Sequence, residues 1–197
     1  MPPSGRKPSC PCCGATLDSR PTRKKKCPHC GDYMFVRGGD VVTEDEAATR
    51  DWLAAVAQLG ITRTEFDRHR EELSSQFGTR ASVTDIAWRL LNALVGRTGD
   101  EQRLAFIYWE MARLVSQEGK DSKPYLREAS RHQLLSLRRS GARVVQVSHA
   151  NDPWVCSACR ALHGKRWAID EALSRMPIPD SCREPSGCRC HYLPSLE

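Results

Sequence analysis

The chain has 197 residues, of which 40% are hydrophobic and 27% charged, and it carries a formal net charge of +6. That much apolar material serves one modest core with small satellites, and it gives no sign of a disordered or fibrous polymer. There is no apolar run of about 18 residues, which excludes a hydrophobic membrane helix.

Charge is distributed unevenly. Residues 1–39 carry 8 basic and 2 acidic side chains, residues 40–120 carry 10 and 14, and residues 121–197 carry 12 and 8, so both ends are basic and the middle is acidic. All ten cysteines lie in the basic ends, with none between Cys30 and Cys156. The opening residues Met1-Pro2-Pro3-Ser4-Gly5-Arg6-Lys7 contain no apolar stretch, so a cytoplasmic protein without a secretory signal is expected. In that reducing compartment, Cys-x-x-Cys pairs are expected to hold metal rather than to form disulfides. The expected architecture is mainly α with small zinc-stabilised β modules: residues 1–39, a helical domain over 40–120, and an α+β cysteine-rich module over 121–197.

The first module repeats one design, Cys10-Pro11-Cys12-Cys13-Gly14 and Cys27-Pro28-His29-Cys30-Gly31. In each half proline presets a turn, and glycine permits the positive φ that lets backbone amides face the sulfurs. Only Cys10, Cys13, Cys27 and Cys30 form two Cys-x-x-Cys pairs, so these four are the expected tetrahedral zinc ligands. Cys12 and His29 are then spare, displaced outward by the turn. The segment resembles a zinc ribbon. Between its knuckles lie Arg20, Arg23, Lys24, Lys25 and Lys26, and Tyr33-Met34-Phe35-Val36 reads as the closing strand. A basic loop beside aromatics suits a phosphate backbone, although a charge run also makes an ordinary solvated surface.

In the middle segment helix punctuation is clear. Thr43 with Glu46 opens a first helix whose Trp52, Leu53, Val56 and Leu59 recur at helical spacing up to Gly60. Thr62 with Glu65 opens a second, which ends near Phe77-Gly78. Ser82 caps a third with a wide stripe of Val83, Ile86, Ala87, Leu90, Leu91 and Leu94, and a box of Thr98 and Glu101 opens a fourth with Leu104, Ile107, Tyr108, Met111 and Leu114. The second and third also fit a helix-turn-helix, against which the acidity of the segment argues. Trp88, Tyr108 and Trp109 are expected in the core. No catalytic constellation is visible in this segment.

A fifth helix runs from Ser122, with Pro124 in its first turn, to Gly141, and Arg127, Arg131 and Arg138 lie on one side of it as a basic ridge. Val144-Val145-Gln146-Val147-Ser148 reads as a strand. It leads into His149-Ala150-Asn151-Asp152, then Cys156-Ser157-Ala158-Cys159 and Leu162-His163-Gly164-Lys165, and the chain closes on Cys182 and Cys188-Arg189-Cys190-His191-Tyr192-Leu193-Pro194. Cys156, Cys159, Cys188 and Cys190 complete a second four-sulfur zinc site. Cys182 is one thiol too many and can replace Cys188 or Cys190, while His163 or His191 can also compete.

The order of strand, His-Asp turn, Cys-x-x-Cys, Leu-x-Gly step and closing Cys-Arg-Cys resembles the C-terminal domain of the Mu F-like phage head morphogenesis proteins, over roughly residues 140–195. Members often place His-Pro just before the closing cysteines, where this chain has Arg183-Glu184-Pro185-Ser186-Gly187 after Cys182. The resemblance implies a phage head morphogenesis or minor head-type role, with a virion-associated location if the chain is phage-encoded. A third reading takes His149, Asp152 and His163 beside a metal as a nuclease centre, against which a closed four-cysteine site weighs. The leading expectation is a non-enzymatic adaptor with two zinc ions per chain, presenting basic surfaces to a protein or nucleic-acid partner and none to a membrane.

Overall fold

A computed structural model describes residues 7–153, 155–184 and 187–195. Pro185, Ser186 and the opening Met1–Arg6 lie outside the described residues. About half of the chain is helical, with two small antiparallel sheets. The chain divides into two compact units, Met1–Ala87 and Trp88–Glu197. The division falls inside one helix, so the segment read as a single helical middle contributes to both units.

In the first unit, β1 (Lys25–Lys26), β2 (Tyr33–Arg37) and β3 (Asp40–Val42) form an antiparallel sheet in chain order. Arg37 pairs with Asp40 across a two-residue loop of Gly38 and Gly39, with φ of 58° and 83°. Two consecutive positive φ values match the right-handed strand twist, and glycine reaches them without a Cβ penalty. The core of this N-terminal module, hereafter called the ribbon for its expected likeness alone, consists of Cys10, Leu17, Cys27 and Met34, with Val41 packed against it.

Helix α1 (Glu44–Ala55) begins where Thr43 Oγ1 accepts the Glu46 amide at 3.2 Å, and α2 (Arg63–Phe77) where Thr62 Oγ1 accepts the Glu65 amide at 3.1 Å. Both N-caps follow the sequence reading, and Gly60 and Gly78 end the segments with φ of 71° and 67°. The Glu46 carboxylate does not return to its cap; it binds Arg50 at 2.8 Å and Arg63 at 2.8 and 2.9 Å. Trp52 packs on Phe66 with ring centroids 5.5 Å apart. Beside them the buried Arg70 reaches from α2 to Asp45 at 3.0 Å and to Thr49 Oγ1 at 3.0 Å, so its charge is paired where water is excluded.

Helix α3 (Val83–Val95) starts at a reciprocal box, in which Ser82 Oγ accepts the Asp85 amide and Asp85 Oδ2 accepts the Ser82 amide, both at 3.1 Å. It buries Ile86, Ala87, Leu90 and Leu91 as its stripe predicts.

In the second unit, α4 (Glu101–Gln117) packs along α5 (Lys123–Arg139). The cap of α4 differs from the expected Thr98 box. Asp100 Oδ1 accepts the Arg103 amide at 2.6 Å, while Thr98 Oγ1 accepts from Asp100 N at 3.3 Å. Glu101 is drawn away by His132 at 2.5 Å and Arg139 at 2.9 Å. Trp109, expected in the core, is 40% exposed and stacks on Phe106.

Strand β4 (Val144–Ser148) is the centre of the second sheet, between β5 (Arg166–Ala168) and β6 (His191–Pro194). The short helices α6 (Ser157–Leu162) and α7 (Ile169–Arg175) flank β5 in the chain. Val145 and Val147 point into a core with Leu126, Leu134, Ile178 and Tyr192, which is the alternation expected of a half-buried strand. Among the described residues, no helix is long and apolar enough to cross a membrane.

Candidate metal centres

The two knuckles of the ribbon have nearly the same backbone. The Gly14 amide donates to Cys10 O at 2.9 Å and the Gly31 amide to Cys27 O at 3.0 Å, with φ of 74° and 79° at the glycines. Each turn aims amides at its first sulfur: Cys12 N donates to Cys10 Sγ and His29 N to Cys27 Sγ, both at 3.4 Å. Cys12 and His29 are exposed, so the knuckle uses their amides rather than their side chains. Burial raises the Cys10 thiol, yet the amides of Cys13 and Cys12 outweigh it and bring its pKa down to about 6. The Cys27 thiol is also lowered, first by the Cys30 amide.

Four sulfurs result, Cys10, Cys13, Cys27 and Cys30, all within 4.8 Å of one another. Cys10 and Cys30 are 3.9 Å apart, and Cys13 and Cys27 3.8 Å. A tetrahedron with metal–sulfur bonds of about 2.3 Å has edges of about 3.8 Å, so the quartet has near metal-binding geometry.

The second cluster gathers five thiols in two overlapping triads. Cys156, Cys159 and Cys182 lie within 4.8 Å of one another, and so do Cys159, Cys188 and Cys190. Cys159 belongs to both and sits 3.8 Å from Cys188. The Cys156 sulfur accepts the amides of Cys159 and Arg183, each at 3.4 Å, and Cys182 accepts the Glu184 amide at 3.5 Å. This Cys182-to-Glu184 contact spans the same two residues as the amide contacts of the ribbon knuckles. A cavity of about 10 Å³ lies between these groups, lined by Cys156, Cys159, Cys182 and Cys190 but not by Cys188.

Burial raises the Cys156 thiol, but the Arg183 and Cys159 amides hold it near 7. Cys190 falls to about 6, first through its hydrogen bond with Cys188. Burial pushes the Cys159 thiol up, and the contact with Cys190 pushes Cys188 up.

Among the described residues, the groups of three or more close ligand atoms consist of cysteines only. The rings of His163 and His149 are tilted by 42° with centroids 4.2 Å apart, and His149 Nδ1 lies 2.8 Å from Ala150 O. Asp152 accepts from Arg189 at 3.0 Å. His191 is exposed on β6.

The expected basic ridge of α5 is largely neutralised. Arg127 meets Asp180 at 3.0 Å, Arg138 meets Asp170 at 3.1 Å, and Arg131 lies 3.9 Å from Glu128. Sequence reading missed the amides of Arg183 and Glu184, whose only signal is the position of Glu184 two residues after Cys182. No family model, curated protein or solved structure matches the chain.

Proposed function

We propose that this protein is a non-enzymatic adaptor in which two structural zinc ions, one per cysteine cluster, hold small β modules that offer surfaces to a protein or nucleic-acid partner. The observation that carries the reading is the ribbon quartet, with sulfur separations of 3.8 and 3.9 Å. Zinc would be held there by Cys10, Cys13, Cys27 and Cys30. In the second cluster Cys159 belongs to both triads and would be joined by three of Cys156, Cys182, Cys188 and Cys190. A site closed by four thiolates has no open position for an activated water. In the N-terminal module its contribution would be folding free energy, which a core of four buried residues otherwise lacks.

The test is the zinc content of the purified full chain, which is two ions per chain on this reading. One ion or none sinks it.

A second reading, an accessory protein of phage head morphogenesis, is supported by the second unit. There the strand, Cys-x-x-Cys and closing Cys-Arg-Cys of the resemblance correspond to β4, the start of α6 and the residues leading into β6, which pairs with β4. Specific association with assembled heads in a pull-down would favour it, and no association would remove it.

A further inference from the structure

The two basic ends do not offer equal surfaces. On α5 the ridge arginines face carboxylates. On the ribbon, Arg23, Lys24, Lys25 and Lys26 are all exposed, and among the described residues none of them is ion-paired.

The sheet register sets two of these lysines beside aromatic rings. Lys26 pairs with Tyr33 and Lys25 with Met34, so Lys24, Lys26, Tyr33 and Phe35 share the face opposite the buried Met34. Lys24 Nζ lies 4.3 Å from the Tyr33 ring centre and 4.8 Å from that of Phe35, and Lys26 Nζ lies 5.2 Å from Tyr33. Tyr33 is 43% exposed. The face therefore carries exposed cations resting on two rings, Tyr33 exposed and Phe35 half-buried.

We infer that this face binds single-stranded nucleic acid, a reading that rests on the adaptor role and names its partner. Phosphates would draw the lysines off the rings, and bases would take the vacated ring faces. The exchange is favourable because a stacked base contributes more than an exposed cation–π contact. Strand geometry selects the single strand. Tyr33 and Phe35, two residues apart, are separated by about 6.7 Å along β2, about twice the 3.4 Å rise per nucleotide of a duplex strand. Adjacent stacked bases cannot occupy both rings, whereas an opened strand can.

The test is fluorescence anisotropy of a short labelled oligo(dT) titrated with the metal-replete full chain, beside a duplex of equal length and with polyglutamate as competitor. Oligo(dT) should bind more tightly than the duplex. With the two lysines of this face engaged, affinity should fall about sevenfold between 50 and 200 mM salt. Tyr33→Ala and Phe35→Ala should each weaken binding at least about fivefold, while Tyr33→Phe retains it.

Absent binding at 50 mM salt, equal affinity for duplex, or ring variants that bind like the parent would each overturn the inference. Displacement by polyglutamate as effective as by unlabelled oligo(dT) would also overturn it, in favour of an acidic protein. Zinc is counted in the same samples, variants included. Two ions without binding refutes the nucleic-acid partner alone, whereas fewer than two refutes the adaptor reading itself.

Discussion

The side-chain amide of Gln133 on α5 acts as a strand neighbour to Tyr192 on β6: its Oε1 accepts the Tyr192 amide at 3.1 Å, and its Nε2 donates to the Tyr192 carbonyl at 3.2 Å. The Tyr192 hydroxyl is buried and completes the anchor, donating to Ile178 O at 3.1 Å and accepting from Ile178 N at 3.2 Å. Burial pushes that phenol's pKa up, so it stays a donor. The residues immediately before this strand are the closing Cys188-Arg189-Cys190, so the anchor sets where two of the five thiols sit.

Gln133→Leu should therefore cost about 2 kcal/mol, because it leaves the Tyr192 amide and carbonyl unpaired. Tyr192→Phe should cost about 1–3 kcal/mol for the same reason at Ile178. Denaturant unfolding of each variant measures both. Losses within error of zero would show that β6 is held by its ladder with β4 alone.

Zinc counting on single cysteine variants separates the five thiols. Cys159→Ser should retain one ion per chain, since its sulfur belongs to both triads, and among Cys156→Ser, Cys182→Ser, Cys188→Ser and Cys190→Ser three should retain one ion and the variant of the spare thiol two. Two ions in Cys159→Ser, or in more than one of the other four variants, would show that the cluster does not hold a four-sulfur site.

Metal removal should act first on the strands. The ribbon core has four buried residues, two of them the ligands Cys10 and Cys27, too few to offset chain entropy without a staple. A strong chelator should abolish the dispersed amide resonances of residues 25–42 and leave most of the helical circular dichroism. Unchanged ribbon resonances in chelator would show that the metal is dispensable for this fold.

Glu46 supplies a pH dependence. Its carboxyl is held at about 2, first by the hydrogen bond from Arg63 and then by Arg50, against the opposing effect of burial. The folded pKa lies below the ordinary value of 4.5, so the pair stabilises the fold above that value, and the contribution is lost as pH falls from there toward 2. Because Arg63 is nearly half exposed, solvent screening reduces the effect to about 1 kcal/mol. Glu46→Gln should be less stable than the parent by that amount at neutral pH, and the difference should shrink steadily below about pH 4.5. A gap that grows on acidification would contradict the assignment.

Features whose cause lies within a few residues were legible in the chain. Thr43, Thr62 and Ser82 each bond an amide three residues ahead, and Gly60 and Gly78 take the left-handed turn that ends a helix, so these boundaries follow from local chemistry. The ribbon quartet was legible for the same reason, since each knuckle is one tight turn. The cap of α4 was not, because Asp100 and Thr98 are both suitable and Glu101 is claimed by His132, 31 residues away.

What tertiary structure alone decided was which like groups meet which partners. Composition made the two ends equally basic in kind, but the arginines of α5 find Asp170 and Asp180, carboxylates of distant segments, while the lysines of the ribbon lie over aromatic rings. Spacing likewise presented five thiols in the last module, and no local rule ranks them. Their roles depend on which sulfurs the fold brings within reach of Cys159 and which backbone amides it turns toward them.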